Sequence, residues 1–127
     1  MQEKQLYEYA VIRLVPRVDR EEFLNVGVIV YCAKQRFLKT LIQLDAERIH
    51  SFFPGLEIES LRKHFKTLQL ICNGDPAAGP IAKLTVAERF RWLTATRSTI
   101  IQTSKVHPGF CSDADKTLDK LYRQLVL

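Results

Sequence analysis

Long apolar runs are missing from this chain. The longest, Val26 to Ala33, is too short to cross a bilayer, and the opening MQEKQLYEYA lacks the apolar core of a secretory signal. A cytoplasmic protein with no membrane partner is the expectation. Cysteine is scarce as well: Cys32, Cys72 and Cys111 form an odd set, about forty residues apart each time, with no C-x-x-C pair. That excludes a disulfide framework and suits free thiols in a reducing compartment. His50, His64 and His107 do not combine with these cysteines into a metal spacing, so no metal is expected. Gly27 and Gly55 stand alone, without the glycine-rich phosphate loop of either the Walker or the dinucleotide form, and no cofactor is expected. There is no G-x-S-x-G elbow, internal repeat, heptad run, RNA-binding aromatic motif or helix-turn-helix.

What is present describes a folded domain. The hydrophobic fraction of 46% and charged fraction of 26% exclude a disordered chain, and 127 residues are enough to bury one core, read as a single domain over residues 1–127. The net charge of +5 and isoelectric point near 9.3 suit an anionic partner without requiring one.

The chain is organised around Tyr7 to Cys32. In the first apolar run Tyr9, Val11, Arg13 and Val15 alternate with Ala10, Ile12 and Leu14, the period of a strand; Val26 to Cys32 is apolar on both sides, as in a central strand. Between them Asp19 and Glu22 have capping-box spacing, which predicts a helical turn over Arg20 to Leu24 ended by Asn25 in the left-handed conformation. Phe37 to Leu44 predicts a third strand, and Asp45 caps a short helix over Ala46 to Phe53. Ile58, Leu61, Phe65, Leu68 and Cys72 then line one stripe of a longer helix. Asn73 to Pro80 reads as a surface loop, and the capping box Thr85-Val86-Ala87-Glu88 opens a helix to about Ala95, with Phe90 and Leu93 inward and Arg89 or Arg91 outward. Ser98 to Thr103 predicts a fourth strand paired with the first, His107-Pro108-Gly109 a turn, and Ser112 or Asp113 the cap of a last helix with Leu118, Leu121, Tyr122 and Leu125 inward. The resulting order β-β-β-α-α-α-β-α is an α+β fold, a mostly antiparallel four-stranded sheet with helices packed on it.

Arg13 leads the candidate site residues, because a guanidinium inside an apolar strand needs a partner: a carboxylate such as Glu8 or Glu22, or a ligand anion. Arg17, Arg97, Ser98 and His107 complete a candidate anion site if the last strand lies beside the first, since arginine presents forked donors to phosphate or carboxylate. Ser98 with His107 also invites a nucleophile and base, but no third member is evident, and hydroxyls on the outer face of a strand are ordinary. No catalytic residue is assigned. Arg62, Lys63 and Lys66 give the long helix a charged face that is more simply solvated than bound to nucleic acid.

Two stretches, YEYAVIRLVPRVDREEFLNVGVIV from Tyr7 to Val30 and LTVAERFRWLTATRSTIIQTSKVHPG from Leu84 to Gly109, resemble a bacterial family known only as a domain of unknown function. The resemblance covers nearly the whole chain. Its motifs fall on Arg13, Arg17, Glu22, Asn25, Gly27, Arg89, Arg97, Ser98, Thr99 and His107. It implies small stand-alone proteins often encoded beside kinases similar to the HipA toxins, and hence a non-enzymatic accessory or interaction module with a kinase-like protein partner. The alternative is an anion-dependent binder or enzyme acting on a nucleotide or phosphorylated nucleic acid.

Overall fold

The computed structural model describes residues 3–95 and 99–127. Its centre is β1, Gln5–Leu14, rich in the aromatic and β-branched residues that suit a pleated, half-buried surface. On one side β1 pairs antiparallel with β2, Leu24–Cys32, and β2 pairs with β3, Phe37–Ile42. On its other side β1 carries two short strands in succession, β4 (Ile101–Thr103) against Ile12 to Leu14 and β5 (His107–Cys111) against Gln5 to Tyr9. The sheet is open and antiparallel throughout, and the fold is α+β.

The expected pairing of the late strand with the first is present. It arrives in two pieces, so the sheet has five strands where four were expected. The break is at Ser104, whose backbone N–H donates to the Val11 carbonyl while its hydroxyl accepts from the Val11 N–H, each at 2.8 Å. A side chain thus closes the ladder where the backbone turns away. His107-Pro108-Gly109, expected as a turn, is the start of β5 instead. Pro108 lies opposite Glu8 in this outer strand, where a missing donor is tolerated.

The connection between β1 and β2 also differs. Only Val18–Arg20 is helical, as one 3-10 turn, and Asn25 lies within β2 opposite Arg13. Among the described residues other than glycine, the left-handed ones are Glu21, at φ 56° in this connection, and Arg36, at φ 50° between β2 and β3. The pairing of Leu14 with Leu24 draws the chain into the sheet before a full turn can form. Between Ile12 and Arg13 the register shifts: Ile12 faces Gly27 and Arg13 faces Asn25, leaving Val26 as the extra residue of a bulge. That extra residue lets Val26 join Ile29 on one face while Val28 and Val30 occupy the other.

The first face is covered by α1 (Ala46–Phe52), α2 (Ile58–Asn73) and α3 (Val86–Leu93). Asp45 caps α1 by accepting from the N–H groups of Glu47 and Arg48, and Thr85 with Glu88 forms the reciprocal capping box of α3. Hydrogen bonds from Thr85 hold the Glu88 carboxyl below the usual glutamate range. α2 buries Leu61, Phe65 and Cys72 from its stripe and ends at Gly74, at φ 66°, the left-handed stop that glycine allows. Phe90 of α3 is fully buried and stacks on Tyr31 of β2 at 5.1 Å.

The segment after α2 is ordered by two 3-10 turns, Pro76–Ala78 and Pro80–Lys83, the first capped by Asp75. Arg91 points outward and pairs with Glu8 at 3.0 Å, as one of the two alternatives required. Arg89 turns inward, its Nη1 3.5 Å from the Ala82 carbonyl and so close to Gly74 that a β-carbon there would stand 2.1 Å away. The guanidinium lies against the carbonyl end of α2, which favours positive charge.

The second face carries one helix, α4 (Ala114–Leu125), capped by Asp113. Leu118 and Leu121 pack on Val28 and Val30. Its end is pinned by Asn25, which donates to the Leu125 carbonyl at 3.1 Å, and by Arg48, which donates to Val126 at 3.0 Å. α4 lies chiefly over β2 and β3. The β1, β4 and β5 side of that face is therefore less covered.

Candidate functional site

Two surfaces follow from this packing. The first is an apolar groove on the three-helix side, about 770 Å³ in volume, between α2, α3 and the start of β4. Leu61 and Leu68 of α2 form one wall, Trp92 of α3 and Ile100 the other. From Leu61 to Ile71 the groove follows α2 for roughly 15 Å at the usual rise of an α-helix. Trp92 is 39% exposed and Ile100 44% exposed, so large apolar side chains stand at the mouth. The polar groups in the wall are few, Glu57, Ser60, His64 and Thr67 among them. Such a surface gains by covering apolar area and has donors and acceptors enough to fix an orientation.

Sequence periodicity finds α2 and its stripe but not the groove, whose second wall comes from residues far along the chain. The available signal was Trp92, the one tryptophan, lying off the inward stripe of Phe90 and Leu93.

The second surface is the half-open part of the α4 face. Strand alternation places Tyr7, Tyr9, Val11 and Arg13 there, opposite Ala10, Ile12 and Leu14. The Tyr7 ring lies over Gly109, where a β-carbon would meet its outer atoms at 2.6 Å. Tyr9 follows at 6.1 Å between ring centres, and His107 at 5.3 Å from Tyr9. Burial, with smaller contributions from Tyr9 and Cys111, raises the Tyr7 phenol, which remains a neutral donor at physiological pH.

Arg13 has neither of its expected carboxylates. Glu8 points to the opposite face and pairs with Arg91, and Glu22 pairs with Arg20. The Arg13 guanidinium instead sits 4.0 Å above the Phe23 ring, and its Nε is buried without a hydrogen-bond partner among the described residues. A cation over a ring face is attracted by the ring quadrupole, yet the buried Nε donor stays unused among the described residues.

Of the other candidate residues, His107 shares the face of Arg13 and lies exposed beside Tyr9. Arg17 lies past the end of β1, paired with Asp19 at 2.9 Å and bordering a small recess with Phe52 and Phe53 at the end of α1. Arg97 and Ser98 lie outside the described residues. The structure thus brings Arg13 and His107 onto one face and places Arg17 apart from them.

The three cysteines are free and buried. Burial pushes the Cys72 thiol up to about 12, despite the opposing pull of Arg89, so it is an inert packing group at neutral pH. Among the described residues no group of three or more histidines, cysteines or acids is placed to hold a metal ion. Among them, too, no helix is long and apolar enough to cross a membrane.

The architecture is thus a five-stranded antiparallel sheet sandwiched unequally between helices, with an apolar groove on one side and a half-open aromatic face on the other. The sequence model of the family described as "Protein of unknown function (DUF3037)" matches residues 9–126, and the chain belongs to that family. Comparison with curated proteins gives no match, and comparison with solved structures gives none either.

Proposed function

We propose that the chain is a non-enzymatic interaction module of the bacterial cytoplasm whose partner is a kinase-like protein of the HipA type, and that it takes an amphipathic helix of that partner in the groove between α2 and α3. The observation that carries this reading is the groove itself. Its length along α2 matches nearly three helical turns, and Trp92 and Ile100 at its mouth are the kind of apolar anchors around which interface cores form. Lys63 and Lys66, exposed farther round α2, suit acidic residues on the polar flank of the incoming helix.

The test is affinity purification of the tagged chain from its native host beside an Ile100→Glu variant, which alters an exposed residue and leaves the core intact. A kinase-like protein in stoichiometric amount with the native chain, lost with the variant, is the expected result. Recovery of no stoichiometric protein partner overturns the reading; equal recovery by both forms removes the groove from it.

A second reading is favoured by Arg13, whose buried Nε has no hydrogen-bond partner among the described residues. Arg13 and His107, with Arg17, Arg97 and Ser98 as further candidates, bind an anion such as a nucleotide or phosphorylated nucleic acid. Support comes from a guanidinium on an accessible face that has no carboxylate among the described residues. Loss on Arg13→Gln of a nucleotide-induced rise in melting temperature tests it.

A further inference from the structure

We propose that the half-open face of the sheet binds single-stranded nucleic acid, with bases stacked on the Tyr7, Tyr9 and His107 rings and a backbone phosphate held by Arg13. The inference rests on the second reading in using Arg13 and His107. It goes further by naming the ligand class and by adding two tyrosines that form no part of that reading.

Three observations converge. The rings are consecutive across two strands, at 6.1 Å and then 5.3 Å, and Tyr7 lies flat over a glycine whose lack of a side chain makes room for it. Rings laid on a sheet offer faces to unstacked bases, and such stacking tolerates any base because every base has a π-face. Arg13 is four residues beyond Tyr9 on the same face, roughly 13 Å along an extended strand, a separation suited to a chain that alternates bases with phosphates. Finally, the described strand residues of this face include no carboxylate: on β1 they are Tyr7, Tyr9, Val11 and Arg13, and their partners on β5 and β4 are Gly109, His107 and Gln102, while the α4 carboxylates Asp115 and Asp119 are paired with Lys39 and Arg123. Glu8, the acid within β1, is turned to the other face and neutralised by Arg91. An acidic peptide would find the same cation but would have no use for a row of rings. The row escapes motif searches because His107 reaches Tyr9 only through the pairing of β5 with β1.

The test is fluorescence anisotropy of the full chain with a labelled oligouridylate of about a dozen nucleotides, a length covering one sheet-sized site. Binding should weaken steeply between about 50 and about 200 mM salt, as phosphate contacts do. Tyr9→Ala should weaken it about tenfold, the usual cost of one lost stacked base. Because Tyr9 also packs beside α4, His107→Ala, at an exposed position, serves as the second variant and should weaken binding in the same direction. Arg13→Gln should lower the magnitude of the salt slope by about one.

No binding at the lowest salt overturns both this proposal and the anion reading of Arg13. Binding that polyphosphate displaces and that neither Tyr9→Ala nor His107→Ala changes keeps the anion reading and overturns the stacking proposal. Equal affinity for a polyglutamate peptide also overturns it.

Discussion

On β1, Ala10, Ile12 and Leu14 are wholly buried beneath three helices, while Tyr7, Tyr9 and Arg13, alternating with them, keep part of their surface beside a single helix. One strand therefore does two jobs. Its first face anchors the core through α2 and α3, and its second face holds rings and a cation that the fold does not consume. What separates the two is coverage, since α4 lies chiefly over β2 and β3 and reaches β1 only at the Tyr7 and Tyr9 rings. The wholly buried positions on the first side of β1 are all apolar, with Glu8 toward one end paired with Arg91, and the partly covered side admits groups that water or a ligand can still reach.

Phe90→Ala, beneath the three-helix layer, should cost about 3–5 kcal/mol, read from urea unfolding, because it removes a fully buried ring stacked on Tyr31. Tyr9→Ala should cost distinctly less. Equal costs would mean that the second face is as tightly built as the first.

A pair of glycines, one on each face, sharpens the contrast. A β-carbon at Gly27 would stand 2.9 Å from the backbone oxygen of Leu41, which cannot yield, so Gly27→Ala should destabilise by about 2 kcal/mol. At Gly109 the obstacle is the far end of the Tyr7 ring, which can swing, so Gly109→Ala should cost about 0.5 kcal/mol or less in the same urea measurement. A large loss at Gly109 would show that the Tyr7 ring is locked.

Cys72 tests the dryness of the three-helix side through pH. The thiol of an unfolded chain titrates near pH ~8.5, whereas in the fold burial holds the proton until about 12. Between these values the unfolded state binds fewer protons, so the thiol's contribution to stability falls as pH rises, by about 1 kcal/mol per pH unit. Cys72→Val should remove that part of the slope, measured as urea midpoints from neutral pH to pH ~10. An unchanged slope would mean that the thiol ionises freely in the fold. Small as well is Glu8→Gln, which loses the pair with the largely exposed Arg91 and should change stability by about 0.5 kcal/mol, with the loss shrinking in high salt.

Much of the frame was legible in the sequence because it rests on local rules. The stripe from Ile58 to Cys72 gave α2, Thr85 with Glu88 gave the start of α3, and the alternation of Tyr9, Val11 and Arg13 with Ala10, Ile12 and Leu14 gave β1 and its two faces. Where long-range pairing decides, local rules misled. Pro108-Gly109 has the composition of a turn but lies in β5 because β1 offers it an edge, and Asn25 suits a left-handed stop but is drawn into β2.

Arg89 illustrates the same limit, since its inward direction follows from the end of α2 meeting α3. The candidate site was legible only in part. Arg13 stood out as a cation in an apolar strand, but no local pattern shows that Glu8 and Glu22 are taken by other arginines, or that Tyr9 and His107 meet.

The break at Ser104 also bears on how molecules of this protein behave when crowded. An unbroken outer strand presents a row of backbone donors and acceptors that another chain can copy, one strand after another, into a fibre. Here that margin is cut in two, bends where the Ser104 hydroxyl returns to Val11, and includes Pro108, which brings no N–H. Neighbouring molecules find no continuous template along this side.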